Sequence, residues 1–473
     1  MRRAILILLL AGAYVSCASR GLDPARPDGK ARPGGEARVL VGAALSRIDF
    51  VRSTIAAPLT SGGGLVGAVR REAAVGGAGS CWSLALEGRY PDGSRVRPED
   101  LVEAWSSELA EPDSSLRWLL GDLVGLDAWL VGGRGSIAGL RARGESLSLC
   151  FEGEVEDLTA RLEHPALAFS RPRDDGFVGP GPFAAERADA LAANPSYAGS
   201  APWLDEVRGI ASDDAAALLF ELDAIDVAVI EGDAVTSLAD SAVAIRRLED
   251  WDSTWYLWIG DDQRWVLDPA FRAWLAGSVD RDAMVRYLFD GHAAAVFSLA
   301  PGATTEPLWV EPRRRPFASG SRPRLVLHRI AGDLAGERIA ARLQQELGLL
   351  GVELRVVALE VQGLESALER GEVAMALLSS RPANDDPILR LSQALAPLGP
   401  SAADALQRLK HANPTAPALR GDAAWLVEHG LLLDARLVPL LRLEAWLAVR
   451  DGLRGVRSGA TGRLELERAW WSR

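Results

Sequence analysis

The stretch YPDGSRVRPEDLVEAW, residues 90–105, brings three carboxylates close together: Asp92, Glu99 and Asp100. Paired carboxylates in different environments can divide the work of a general acid and a general base. Their neighbours point to local structure instead. Asp92-Gly93 after Pro91 is a tight-turn signal, because glycine takes positive φ without a Cβ clash. Pro98 suits a first helical position, where its missing N–H costs nothing, and acids at 99 and 100 complement the helix dipole. Leu101, Val102, Ala104 and Trp105 then supply an apolar face at helical spacing. The spacing predicts strand, turn and helix, with the acids as exposed punctuation.

Other reactive groupings are thinner. Gly62, Gly64 and Gly67 match G-x-G-x-x-G, but that fingerprint needs a strand before it, and IAAPLT is a poor one. The five histidines, His164, His292, His328, His411 and His429, are scattered, with no i, i+4 pair and no cysteine at zinc-like spacing. There is no Walker A loop, no G-x-S-x-G elbow and no evident Ser, His and Asp set. The expectation is a protein without catalytic residues, metal or cofactor.

The elements that would carry a site are those of a large α/β protein. At 473 residues the chain can bury roughly two or three cores. Its 48% hydrophobic and 25% charged composition is that of a globular protein. A net charge of −12 argues against nucleic acid as the main partner, since phosphate binding needs a basic face. Arg2 and Arg3 precede AILILLLAGAYVSC, an apolar run too short to span a membrane as a helix, and this reads as a secretory signal. Its Val15-Ser16-Cys17 ending resembles a bacterial lipobox, which makes Cys17 the expected lipidation site, although Tyr14 stands where an aliphatic residue is usual. Residues 18–37 are Pro, Gly and charge, and suit a flexible tether.

Strands are expected from Val39 to Leu45, in CWSLALEG and SLSLCFEG, in PFAAER, LDEVRGI and AIDVAVI, and in the aromatic STWYLWI. Cys81 and Cys150 lie in two of them. Export would allow them to form a disulfide, and two separate buried thiols are the equal alternative. Later, PRLVLHRI, LAGERIAARLQQELGLLG, VELRVVAL, VQGLESALERGE and VAMALLSS alternate as β-α-β-α-β, with Ile339, Leu343, Leu347 and Leu350 facing inward. That order predicts a parallel sheet covered by helices. The chain closes with the apolar, strand-like RLVPLLRLEAWLAVRDGLRGV.

Four stretches in order carry a family resemblance. YPDGSRVRPEDLVEAW is similar to a Phe-x-Asp-Gly signature followed by an acidic helix start and a Trp. GPGPFAAERADALAANPSYAGSAPWLDEV resembles a Gly-Thr-Gly-Pro-Tyr block with Asn-Pro-x-Tyr and Leu-Asp-Glu-Val. STWYLWIGDDQRWVLDPAFRAWLAGSVDRDAMVRYLFDGHA resembles a strand, an Arg-x-Ala helix and an Ile-Asp-Arg, and RLVPLLRLEAWLAVRDGLRGV a closing Pro-Leu-Tyr-Tyr segment. All four belong to the family-five extracellular solute-binding proteins, the peptide- and nickel-type binding subunits of ABC importers. The resemblance runs from about residue 38 to the end.

The resemblance implies a type II periplasmic-binding-protein fold of two lobes, a two-strand hinge and a small inserted domain. It places domain I in 38–50, 176–252 and 436–473, domain II in 51–175 and domain III in 253–435, after a signal at 1–17 and the tether at 18–37. The hinge would run out through STWYLWI and back through RLVPLLRL, with the ligand between domains I and III. Ligand contacts are then expected from Trp258, Gly260, Asp261, Arg381, Asp385 and Asp386. The family's Asn after the hinge strand is replaced by Gly260 and Asp261. In the loop before Asp386-Pro387, Ser380 stands for its Trp and Ala383 for the Asp that meets a peptide's amino group. The implied protein is a monomeric lipoprotein that delivers a peptide or similar solute to ABC permease subunits. A degenerate module acting as sensor or structural lipoprotein, and a secreted hydrolase, are the alternatives.

Overall fold

The structure is a computed structural model and describes residues 34–41, 59, 64–73, 79–111, 114, 116–132, 135–155, 158–162, 167–173, 176–185, 190–212, 215–238, 242–260, 264–299, 316–318, 321–381, 387–412, 417–458 and 464–472. Cys17, Gly62, Asp261, Ala383, Asp385 and Asp386 lie outside this set. The fold is α/β, with two large mixed sheets and a smaller antiparallel one.

In the first large sheet the strands lie in the order Val243–Arg247, Ala445–Arg450, Val227–Glu231, Glu36–Val41, Glu206–Ala211, Ala190–Ala193 and Phe183–Ala185. Strand 36–41 runs parallel to 206–211 and 227–231, and the other pairings are antiparallel. Of the strand expected from Val39 to Leu45, the described part ends at Val41. Asp226, 1% exposed, ties the two ends of the chain together. It accepts from Arg38 Nε and Nη2 at 2.9 Å each and from Arg450 Nε at 3.0 Å. A buried charge is tolerated where its lone pairs are met in this way.

The second large sheet is ordered Ala293–Ala295, Leu437–Leu443, Ser253–Ile259, Met375–Ser380, Arg324–Ile330 and Glu353–Leu359. Strand 324–330 is parallel to both 353–359 and 375–380, as the β-α-β-α-β order predicts. The helix Leu334–Leu349 buries Ile339, Leu343 and Leu347, and the expected fourth contact, Leu350, is only partly buried at its end. Arg281 donates from Nε to Pro439 O at 2.8 Å, locking its helix to the strand 437–443. Burial lowers its guanidinium to about 10.

The small sheet is ordered Val66–Glu72, Ser80–Leu86, Ser146–Phe151 and Leu140–Arg143. Cys81 and Cys150 are directly opposed across two strands and form a disulfide. The helix Pro98–Ala110 buries Leu101, Trp105 and Leu109 in this core. Before it the chain turns at Gly93, φ 82°, with Gly93 N–H donating to Tyr90 O at 2.9 Å. Asp100 differs from the exposed acid expected. It is 7% exposed and accepts from Arg97 N–H at 2.9 Å and Tyr90 Oη at 3.1 Å. Gly67 lies inside the strand 66–72 at a register shift rather than in a strand-to-helix loop, so its place in G-x-G-x-x-G carries no phosphate cradle.

Candidate functional site at the lobe junction

The two large sheets are joined where two strands lie side by side. Strand 253–259, STWYLWI, is buried along its whole length, as β-branched and aromatic residues in a central strand should be. It begins directly after Asp252, and its first residue, Ser253, is opposite Leu443 at the end of the returning strand. Two residues later, Ala445 pairs with Glu231 in the first sheet. Asp252 and Glu444 therefore sit at the crossings.

A polar knot holds these crossings. Arg247 donates to both oxygens of Asp252 at 2.6 and 2.7 Å and to Ala445 O at 2.9 Å. Asp252 Oδ1 also accepts from Ala445 N at 3.1 Å. Glu444 has Arg247 Nε at 3.8 Å and His292 Nδ1 at 3.4 Å. Such bidentate pairs fix direction as well as position, which suits two strands that must leave one sheet and enter another.

Beyond the knot, the C-terminal ends of parallel strands from both sheets meet. Arg381, just after strand 375–380, is ion-paired with Glu231 of the first sheet and donates from Nε to Trp251 O at 3.1 Å. Asp333, which follows strand 324–330, caps the helix 334–349 by accepting from Gly336 N at 3.1 Å. Burial raises its carboxyl above the usual range, and the nearby Glu231 adds to the rise against the Gly336 hydrogen bond. Charges from both lobes thus converge on one edge, the position at which open α/β sheets bind ligands.

The expected site residues fall in three places. Arg381 is at the junction. Trp258 and Gly260 are not: strand 253–259 runs away from the crossing, so its far end is buried in the second core. Trp258 is 2% exposed among Leu437 and Ala376. Gly260 donates to Ala374 O at 2.9 Å, and a Cβ there would meet Val373 O at 2.3 Å. Both pack within the second core. Asp261, Asp385 and Asp386 lie outside the described residues. The sequence reading missed Glu231, Asp252, Asp333 and Glu444. Each flanks or ends an apolar strand, and an acid at that point was the signal available. Among the described residues no group of three or more His, Cys, Asp and Glu is placed to hold a metal ion, and no helix is long and apolar enough to cross a membrane.

These features define a type II periplasmic-binding-protein fold with an inserted small domain, and the resemblance read from the motifs holds at the level of fold. No protein-family model and no curated protein sequence matches the chain. Solved structures do. The Escherichia coli murein tripeptide binding protein MppA aligns at TM-score 0.74 and 14% identity, over 94% of this chain and 100% of its own. NikA from Staphylococcus aureus, in complex with Ni(L-His)2, aligns at 0.73 and 13%, over 92% and 100%. The ABC transporter-associated periplasmic binding protein DppA from Helicobacter pylori, in complex with the peptide STSA, aligns at 0.71 and 13%, over 93% and 99%. The unliganded open form of MppA aligns less well, at 0.59.

Proposed function

We propose that this chain is an extracytoplasmic solute-binding lipoprotein that captures a peptide or similar small solute between its lobes and delivers it to an ABC importer. The observation that carries the reading is the junction itself: two sheets, two crossing strands, and charged strand ends from both lobes on one edge. Hinged lobes of this kind close around ligand and present the closed form to a partner. The secretory start and Cys17 support a lipid anchor, and Cys17→Ser should release the protein to the soluble envelope fraction. Mass spectrometry of protein purified without denaturation tests the central reading. A co-purifying small solute is expected. Protein that carries none, and binds none of a pooled di- to pentapeptide library, overturns it. The Arg381–Glu231 pair favours a second reading, a module whose lobes are held by their own charges and which senses rather than transports.

A further inference from the structure

On one face of the junction a guanidinium has no counter-ion among the described residues. Arg442 is the penultimate residue of strand 437–443, opposite Thr254 on one side and Ala294 on the other. Thr254 in turn is opposite Ser380. Opposed residues in antiparallel strands share a face, so Arg442 shares its face with two hydroxyls. The helix Pro387–Leu395 covers the same face further along: Tyr256 Oη donates to Ala394 O at 2.6 Å. Arg390 is one turn before Ala394, towards the start of that helix.

The other junction arginines are paired, Arg247 with Asp252 and Arg381 with Glu231. Arg442 is half-buried, and its side chain makes no hydrogen bond or ion pair among the described residues. Asp252, the anion it senses, already holds the Arg247 fork and Ala445 N–H. Burial first, and then Arg390, keep the Arg442 guanidinium below its usual range, against the pull of Asp252. A partly desolvated guanidinium with unmet donors and a second cation nearby is unfavourable until an anion arrives. Its planar fork fits a carboxylate or phosphate in two hydrogen bonds.

We propose that Arg442 is the anion-holding residue of the junction, so that the protein takes its solute by a carboxylate or phosphate, with Arg390 adding positive potential. The inference rests on the solute-binding reading and supplies its ligand class. It agrees with Ala383 standing where a peptide's amino group would need an Asp.

Calorimetry on the mature protein tests it with three probes: a pool of N-acetylated di- to pentapeptides with free carboxylates, the same pool with free amines and amidated ends, and inorganic phosphate. The acetylated carboxylates or phosphate should bind and the amides should not. Phosphate binding without carboxylate binding would identify a phosphorylated solute. Arg442→Leu should weaken binding at least tenfold while the melting transition stays cooperative, and Arg442→Lys should restore part of it. If Arg442→Leu does not fold, Arg390→Leu should still weaken binding several-fold. Amides binding as tightly as carboxylates, or unchanged affinity in folded Arg442→Leu, overturns the inference and leaves the solute-binding reading standing. Binding of no probe, with no co-purified solute, overturns both.

Discussion

Asp100 and Asp333 are both carboxylates at the start of a helix, and they are held in opposite ways. Asp100 sits in the small sheet's core and accepts from a backbone N–H and a tyrosine hydroxyl of its own neighbourhood. Asp333 caps its helix through Gly336, but it is half-buried at an edge to which the other lobe brings Glu231, a like charge. The first environment closes on itself. The second is completed from across a junction, and so its charge balance depends on how the lobes sit. The same local device is scaffold in one place and part of a surface between lobes in the other.

The contrast breaks hardest at its scaffold end. The disulfide Cys81–Cys150 closes a loop of sequence separation 69. Chain-entropy reasoning puts its worth at up to about 4 kcal/mol. Cys81→Ser with Cys150→Ser should lower the stability of the small domain by that order in urea unfolding and leave solute affinity unchanged. A changed affinity would show that the small domain shapes the junction. Next in size, Asp100→Ala should cost about 2 kcal/mol, because the Tyr90 hydroxyl and the Arg97 N–H lose their partner in a buried place. It too should spare binding.

The scaffold end was legible for a physical reason. Asp92-Gly93, Pro98 and the apolar residues at helical spacing act through their neighbours in sequence, so their pattern survives as text. Even there the burial of Asp100 was hidden, since it depends on Tyr90 folding back over it. The alternating strands and the β-α-β-α-β run were readable on the same grounds. Of the junction, the two hinge strands and Arg381 were readable through the resemblance, and its other charges were not. Trp258 and Gly260 stand at the end of the hinge strand, but direction decides which end meets the other lobe, and direction comes from the sheet. Glu231, Asp333 and Arg442 are far apart in sequence and become neighbours only when two sheets meet.

At the junction end the effects are smaller and conformational. Arg381→Ala removes the ion pair to Glu231 and the bond to Trp251 O. A partly exposed pair contributes about 1 kcal/mol or less to stability. The larger consequence should be geometric: small-angle scattering of the ligand-free variant should give a greater radius of gyration than the native protein. Equal radii would show that the pair does not hold the lobes together.

Asp333→Asn sharpens the comparison with the least disturbance, because asparagine caps a helix about as well as aspartate. Burial, with Glu231 adding to it, raises the Asp333 carboxyl in the folded protein. The folded state then holds this proton more tightly than the unfolded chain does. The stability it contributes is fully present below the unfolded value, about 3.9, and is lost as pH rises through the higher folded value. From this group alone the native protein should therefore become less stable as pH rises out of the acid range. Asp333→Asn has no such proton and should show a shallower fall in urea midpoint between about pH 4 and pH 7. Glu231→Gln should remove a smaller part of the same slope, since burial is the greater cause. The corresponding variant at Asp100 controls for a general effect of deleting a carboxylate at a helix start. If Asp333→Asn tracks the native protein at every pH, the carboxylate is as self-contained as Asp100, and the junction is not the titrating surface its geometry describes.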